Sequence, residues 1–180
     1  LYIGEEENRY LTGEKRRRVF GGLYKLPMVK IENKKKLLKD GQVFTIGDIK
    51  IECFLVPGHT WGHLVYLIDD SYLFTGDTIW FGADGGRSFI NMLAEDNKLA
   101  IRSLAVLEEK LRGRGLNPII VTGHTGWTDN MDFAFAHKDK VCNAWCRQKP
   151  QDPAAPYDGY DESDDTEDKA RTVRLPKQNT

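Results

Sequence analysis

The chain has 180 residues, 40% of them apolar and 29% charged, and its 8 Phe, 7 Tyr and 4 Trp supply enough bulky material for a packed core. That composition excludes wholesale disorder, and the length leaves room for one domain plus tails rather than two full-sized domains. No run approaches the roughly 18 apolar residues of a membrane span, and Leu1 to Glu7 lack the basic and apolar regions of a secretory signal, so a soluble, cytoplasmic protein without a membrane partner is expected.

The formal net charge of -1 conceals an asymmetry. Residues 1–40 carry 11 Lys/Arg against 6 Asp/Glu, whereas residues 151–180 carry 4 against 8. Glu5, Glu6, Glu7 and Glu14 interrupt the basic stretch and no aromatic stacking pattern accompanies it, so it reads as a solvated face and predicts no nucleic-acid partner. The three cysteines, Cys53, Cys142 and Cys146, are odd in number and read as reduced thiols. The four-residue spacing of Cys142 and Cys146 on a predicted helix offers two metal ligands, but no second Cys/His pair stands nearby to complete a site.

In chain order, Leu1-Tyr2-Ile3 reads as the end of a strand entering a polar helix over 5–11. Residues 12–40, broken by Gly21-Gly22 and Pro27, read as loop with short helical pieces. Residues 43–46 and 49–56, joined at Gly47-Asp48, predict a hairpin with Ile49, Ile51, Cys53 and Leu55 on one face. A second hairpin joins 63–68 to 72–74 through Asp69-Asp70, and a glycine-rich loop is expected from Gly76 to Arg87. Residues 97–111 predict a helix through Leu99, Ile101, Leu104, Val106, Leu107 and Leu111, stopped by Gly113 and Gly115. A buried strand follows over 118–122, and Phe133, Phe135, Ala136, Val141 and Trp145 predict a last helix over 132–147. The domain is thus expected over 1–150, and residues 151–180 are too poor in apolar side chains to offset the entropy of ordering, so they read as an acidic, disordered tail.

Three polar clusters share one grammar, in which an apolar strand ends, a glycine follows, and a possible metal ligand comes next. They are Gly58-His59, Gly76-Asp77 and Gly123-His124. The glycine lets the backbone turn sharply, and a donor at a strand end is held rigidly at the rim of a sheet. Imidazole and carboxylate donors suit zinc, iron and manganese. Three such endings in a chain with only four histidines point to one site; His137, inside the last predicted helix, lacks that context.

The string Pro57-Gly58-His59-Thr60-Trp61-Gly62-His63, followed by Phe74-Thr75-Gly76-Asp77-Thr78 and later by Thr122-Gly123-His124, resembles the metallo-β-lactamase fold hydrolases, nearest their glyoxalase II-like branch. The resemblance covers about residues 1–147 and implies an α/β fold, a four-layer αβ/βα sandwich with a dinuclear metal site at one edge. It implies that His59 is a ligand of the first metal, Asp77 the carboxylate bridging both, His124 a ligand of the second, and His63 a neighbour whose ring N–H orients the site. Two zinc ions, or iron or manganese, would be the cofactors, and a small ester, thioester, lactone or phosphoester the substrate. His59, Asp77 and His124 are then the catalytic set. Arg87, just after the Asp77 loop, is a candidate for an anionic substrate group. Gly82 to Gly86 lack the lysine of a phosphate-cradling loop.

Two features depart from the family. Its His-x-His-x-Asp-His motif is absent, so the chain is expected to be a C-terminal portion truncated at its N-terminus, or one that has lost the site. The basic substrate-binding end of true glyoxalase II is replaced by the acidic stretch Asp158 to Asp168, which argues against a glutathione thioester. The alternatives to a hydrolase are a non-catalytic module that binds a partner on the same scaffold, and a di-iron redox protein.

Overall fold

The computed structural model describes residues 1–28 and 30–142. Strand β1 (Tyr2–Gly4) runs directly into helix α1 (Glu5–Leu11), whose first turn carries Glu5, Glu6 and Glu7 at the positive end of the helix dipole. Two-residue strands β2 (Arg18–Val19) and β3 (Tyr24–Lys25) form a small hairpin, and β4 (Lys36–Leu38) pairs in parallel with β1. The helical pieces expected in residues 12–40 are therefore replaced by strands. Tertiary pairing decides here, because Leu38 is buried beside Leu64 and Cys53 only when β4 lies along β1.

Strands β5 (Val43–Ile46), β6 (Ile49–Leu55), β7 (Leu64–Ile68) and β8 (Tyr72–Gly76) form the two expected hairpins. The expected glycine-rich loop is instead a third hairpin, β9 (Ile79–Gly82) with β10 (Gly85–Ile90). Its glycines masked an alternation in which Ile79 and Phe81 are fully buried. After a 3-10 turn over Asn91–Leu93, helix α2 spans Asn97–Gly113, capped where the Asp96 side chain accepts from the Leu99 amide at 2.9 Å.

Strand β11 (Ile119–Thr122) pairs in parallel with β8, and β12 (Trp127–Thr128) lies at the edge, giving a six-stranded sheet in the order β12-β11-β8-β7-β6-β5. The helix expected over 132–147 is overturned up to Cys142. Among the described residues of that stretch only α3 (Met131–Phe135) is helical, and β13 (His137–Cys142) then pairs in parallel with β10 in a sheet ordered β13-β10-β9. Pairing satisfies the backbone of β10 along its second side, and Lys138 reaches Glu108 of α2 at 2.9 Å. Cys142 thus ends a strand, which removes the helical spacing proposed for it with Cys146, a residue outside the described ones together with Trp145 and the tail.

The main core lies between one face of the large sheet and α2. It joins Phe54, Val65, Leu67 and Leu73 to Leu104, Leu107 and Leu111, and continues through Phe81 and Phe135 to the smaller sheet. Strand β6 enters this core through Phe54; on its other face, the expected one of Ile49, Ile51, Cys53 and Leu55, Cys53 joins a second cluster with Leu38 and Leu64, while Ile49 stays exposed. The second face carries a groove of about 390 Å³ lined by Phe44, Ile46, Ile51, Tyr66, Ile68 and Phe74, with Tyr2 stacked on Phe44 at 5.1 Å. Among the described residues no helix is long and apolar enough to cross a membrane.

Candidate metal centre

The three Gly-ligand clusters meet at one rim of the large sheet. His59 follows β6, Asp77 follows β8 and His124 follows β11, so parallel pairing of β11 with β8 sets the last two side by side. The Gly123 amide donates to the Gly76 carbonyl at 2.7 Å. A Cβ at Gly123 would lie 2.5 Å from Asp77 Oδ1, so only glycine lets the two loops come this close. Gly58 has φ +140 and packs against the Ala100 backbone of α2, which pins the turn that carries His59.

Asp77 stands between the two histidines. Its Oδ2 is 3.8 Å from His59 Nε2 and its Oδ1 is 3.2 Å from His124 Nε2. Exposure grades across the three, with side chains 11% exposed at His59, 26% at Asp77 and 56% at His124, so the site opens to solvent on the His124 side. Phe89 lies with its ring 4.0 Å from that of His59, and Trp80 with its ring 5.1 Å from that of His124; these aromatic walls come from the β9–β10 hairpin.

The hydrogen bonds fix the tautomers. His63 Nε2 donates to the Thr75 carbonyl at 2.9 Å, which leaves His63 Nδ1 as an acceptor facing His59 Nδ1 at 3.4 Å. His59 therefore carries its proton on Nδ1, which leaves Nε2, 3.8 Å from Asp77 Oδ2, as an acceptor. His63 thus meets His59 as an acceptor, and the ring N–H it was expected to offer a neighbour goes to the Thr75 carbonyl. Burial, helped by the positive charge of Arg17, pushes the His59 pKa down to about 2, and burial also lowers that of His63. Both imidazoles are neutral, the state in which a ring nitrogen binds a metal.

In kind, these donors fit a shared carboxylate with one imidazole on each side. In number they do not close a site: among the described residues no three His, Cys, Asp or Glu side chains converge to hold one ion. The structure also brings in a residue that the sequence reading assigned to a solvated face. Arg17 Nη2 donates to His59 Nε2 at 2.5 Å and to the Leu93 carbonyl at 2.9 Å. No local pattern marks Arg17 apart from Arg16 and Arg18; only the β2–β3 hairpin turns it inward. Arg87 instead forks onto Asp84 at 2.7 and 2.8 Å within its own hairpin, and His137 contacts the same Asp84 at 3.0 Å.

The solved structure of the BLEG-1 B3 metallo-β-lactamase superposes with a TM-score of 0.53 at 20% identity, covering 76% of this chain and 62% of that one. No protein-family model matches the chain. In sequence it is 33% identical over 107 residues to the hydroxyacylglutathione hydrolase of Buchnera aphidicola, covering 59% of this chain and 39% of the relative. It is 48% identical over 82 residues to that of Shewanella loihica, covering 46% and 28%. Over 43 residues it is 51% identical to a probable polyketide biosynthesis zinc-dependent hydrolase of Bacillus velezensis, covering 24% and 19%. The chain is similar in sequence to these hydroxyacylglutathione hydrolases and shares the metallo-β-lactamase fold, and it spans about two fifths or less of the length of these curated relatives.

Proposed function

We propose that the chain supplies the shared carboxylate and two flanking imidazoles of a metal-dependent hydrolase. The observation that carries this reading is Asp77, with each carboxylate oxygen facing a different imidazole Nε2, at 3.8 and 3.2 Å. His59 and Asp77 would hold one zinc, Asp77 and His124 the other, with the remaining donors coming from outside the described residues. When bound, such a metal pair activates water for attack and polarises the oxygen of the bond being cleaved.

The chain's own residues do the positioning. Asp77 divides its two oxygens between the two sides. His63, anchored on Thr75, holds the His59 ring so that Nε2 faces inward, and Trp80 and Phe89 narrow the access of water. The substrate is a small ester, thioester, lactone or phosphoester. Relatives named as hydroxyacylglutathione hydrolases and as a zinc-dependent hydrolase support an acyl substrate. The acidic composition of 158–168, where true glyoxalase II has a basic substrate-binding end, argues against glutathione itself.

The test combines elemental analysis with a thioester, lactone and phosphodiester panel. Asp77→Ala should lower metal content and cut turnover by about a hundredfold or more, while His137→Ala leaves both nearly unchanged. Unchanged hydrolysis in Asp77→Ala removes the reading. Retained iron with oxygen consumption moves it to a redox protein, and absence of bound metal moves it to a partner-binding scaffold.

A further inference from the structure

We propose that the acidic segment 152–168 docks on the basic β2–β3 arm of its own chain. Residues 15–30, which build and flank that hairpin, carry Lys15, Arg16, Arg17, Arg18, Lys25 and Lys30 and no Asp or Glu. Residues 152–168 carry eight Asp/Glu and no Lys or Arg. The charge of the arm is unanswered within the described fold. No carboxylate among the described residues forms an ion pair with any of the six, and Arg16, Arg18, Lys25 and Lys30 are exposed. The Glu95 carboxylate, beside the arm, accepts from the Arg18 and Trp61 amides at 3.2 and 3.0 Å instead of from a guanidinium. Hairpin pairing sets Arg18 opposite Lys25, so like charges stand side by side until an anionic partner separates them.

The chain leaves the described fold beside this arm. Parallel pairing of β13 with β10 ends at Cys142 and Ile90, and two residues beyond Ile90 the Met92 carbonyl accepts from the Phe20 amide at 2.7 Å. The next carbonyl, of Leu93, accepts from Arg17 at 2.9 Å. Paired Cα atoms lie about 5 Å apart and two residues span at most about 7 Å, so Cys142 stands within about 12 Å of the Met92 backbone that holds the arm. Nine residues, 143–151, separate it from Asp152 and reach about 30 Å at full extension, enough to bring 152–168 onto the arm. A single exposed ion pair contributes little, but a tethered segment meets the arm at high effective concentration and with several pairs at once. Made of exposed charges, the contact is released by salt and adds little to the stability of the core. The docked segment is thus a mask, occupying the surface that another polyanion would use.

The experiment joins contacting ammonium and carboxylate groups of the 180-residue chain with a zero-length carbodiimide, in an equal mixture of isotopically light and heavy protein, and maps the links by mass spectrometry at about 20 mM and about 500 mM NaCl. Lys25 and Lys30 should link to residues 158–168 of the same chain about fivefold more often than Lys50 and Lys110 do, a readout that needs no variant. High salt should cut these links about tenfold. Arg16→Gln/Arg18→Gln, which keeps both linked lysines, should lower their yield about threefold, whereas Arg102→Gln, exposed on α2, leaves it unchanged. Links spread evenly over the four lysines, a yield indifferent to salt, or no links from 158–168 overturn the proposal. Links found only between light and heavy chains overturn it in favour of a second copy as the source of the acidic segment.

Discussion

At the scale of single residues, the site depends on backbone closeness as much as on its donors. A methyl group at Gly58 would meet the Ala100 N and Cα at 2.4 and 2.3 Å, and φ +140 is strained for any other residue. Gly58→Ala should therefore cost about 3 kcal/mol in urea unfolding, and adding Ala100→Gly should not restore it, because backbone atoms make the clash. The histidines set the acid limit. His59 and His63 are held below their ordinary pKa, so between about pH 6.5 and the folded value the unfolded chain binds more protons than the folded one. Stability is then fully present above about pH 6.5 and falls as the pH drops, by up to about 1.4 kcal/mol per pH unit for each histidine. Urea midpoints measured with chelator present should be flat from pH 7 to 8 and decline from pH 6 to 5, and His63→Gln should make the decline shallower.

At the scale of elements, α2 divides the load unevenly. The periodic pattern placed Leu104, Leu107 and Leu111 inside, as the structure does, but it also counted Val106, whose exposure is 49%, and passed over Ala100, which is buried. Leu107→Ala should cost about 2–5 kcal/mol through the cavity it leaves, while Val106→Ala should change stability by about 0.5 kcal/mol or less. Thermal and urea unfolding of the two variants check the contrast. The β9–β10 hairpin matters for another reason, because Trp80 and Phe89 reach the site from it. A stretch that reads as loop by its glycines thus furnishes the aromatic walls.

At the scale of the whole molecule, the two faces of the large sheet are unequal. One is sealed by α2; the other leaves Ile46 and Ile49 each 46% exposed beside the groove of Phe44, Ile51, Tyr66, Ile68 and Phe74. The four-layer sandwich is not completed on that side among the described residues. An apolar patch of this kind promotes association, so the protein should self-associate with rising concentration in sedimentation experiments, and Ile46→Lys with Ile49→Lys should weaken it. Residues 151–180, outside the described ones, carry little apolar surface to bury. Deleting them should shift the melting temperature by no more than a degree or two.

The sequence by itself determined the two central hairpins, the capped α2 helix and the strand before His124, because each repeats a local period of apolar side chains that burial on one face requires. It also singled out His59, Asp77 and His124, since a glycine followed by a donor at a strand end leaves a local trace. The parallel pairing of β13 with β10 was decided only in three dimensions, for a six-residue run with Val141 and Cys142 suits either a helix or a strand until a partner edge is present. The inward turn of Arg17 was decided there too. Three consecutive arginines are chemically alike in sequence, and only the packing of a two-residue hairpin against Met92 and Leu93 separates the one that reaches His59 from the two left in solvent.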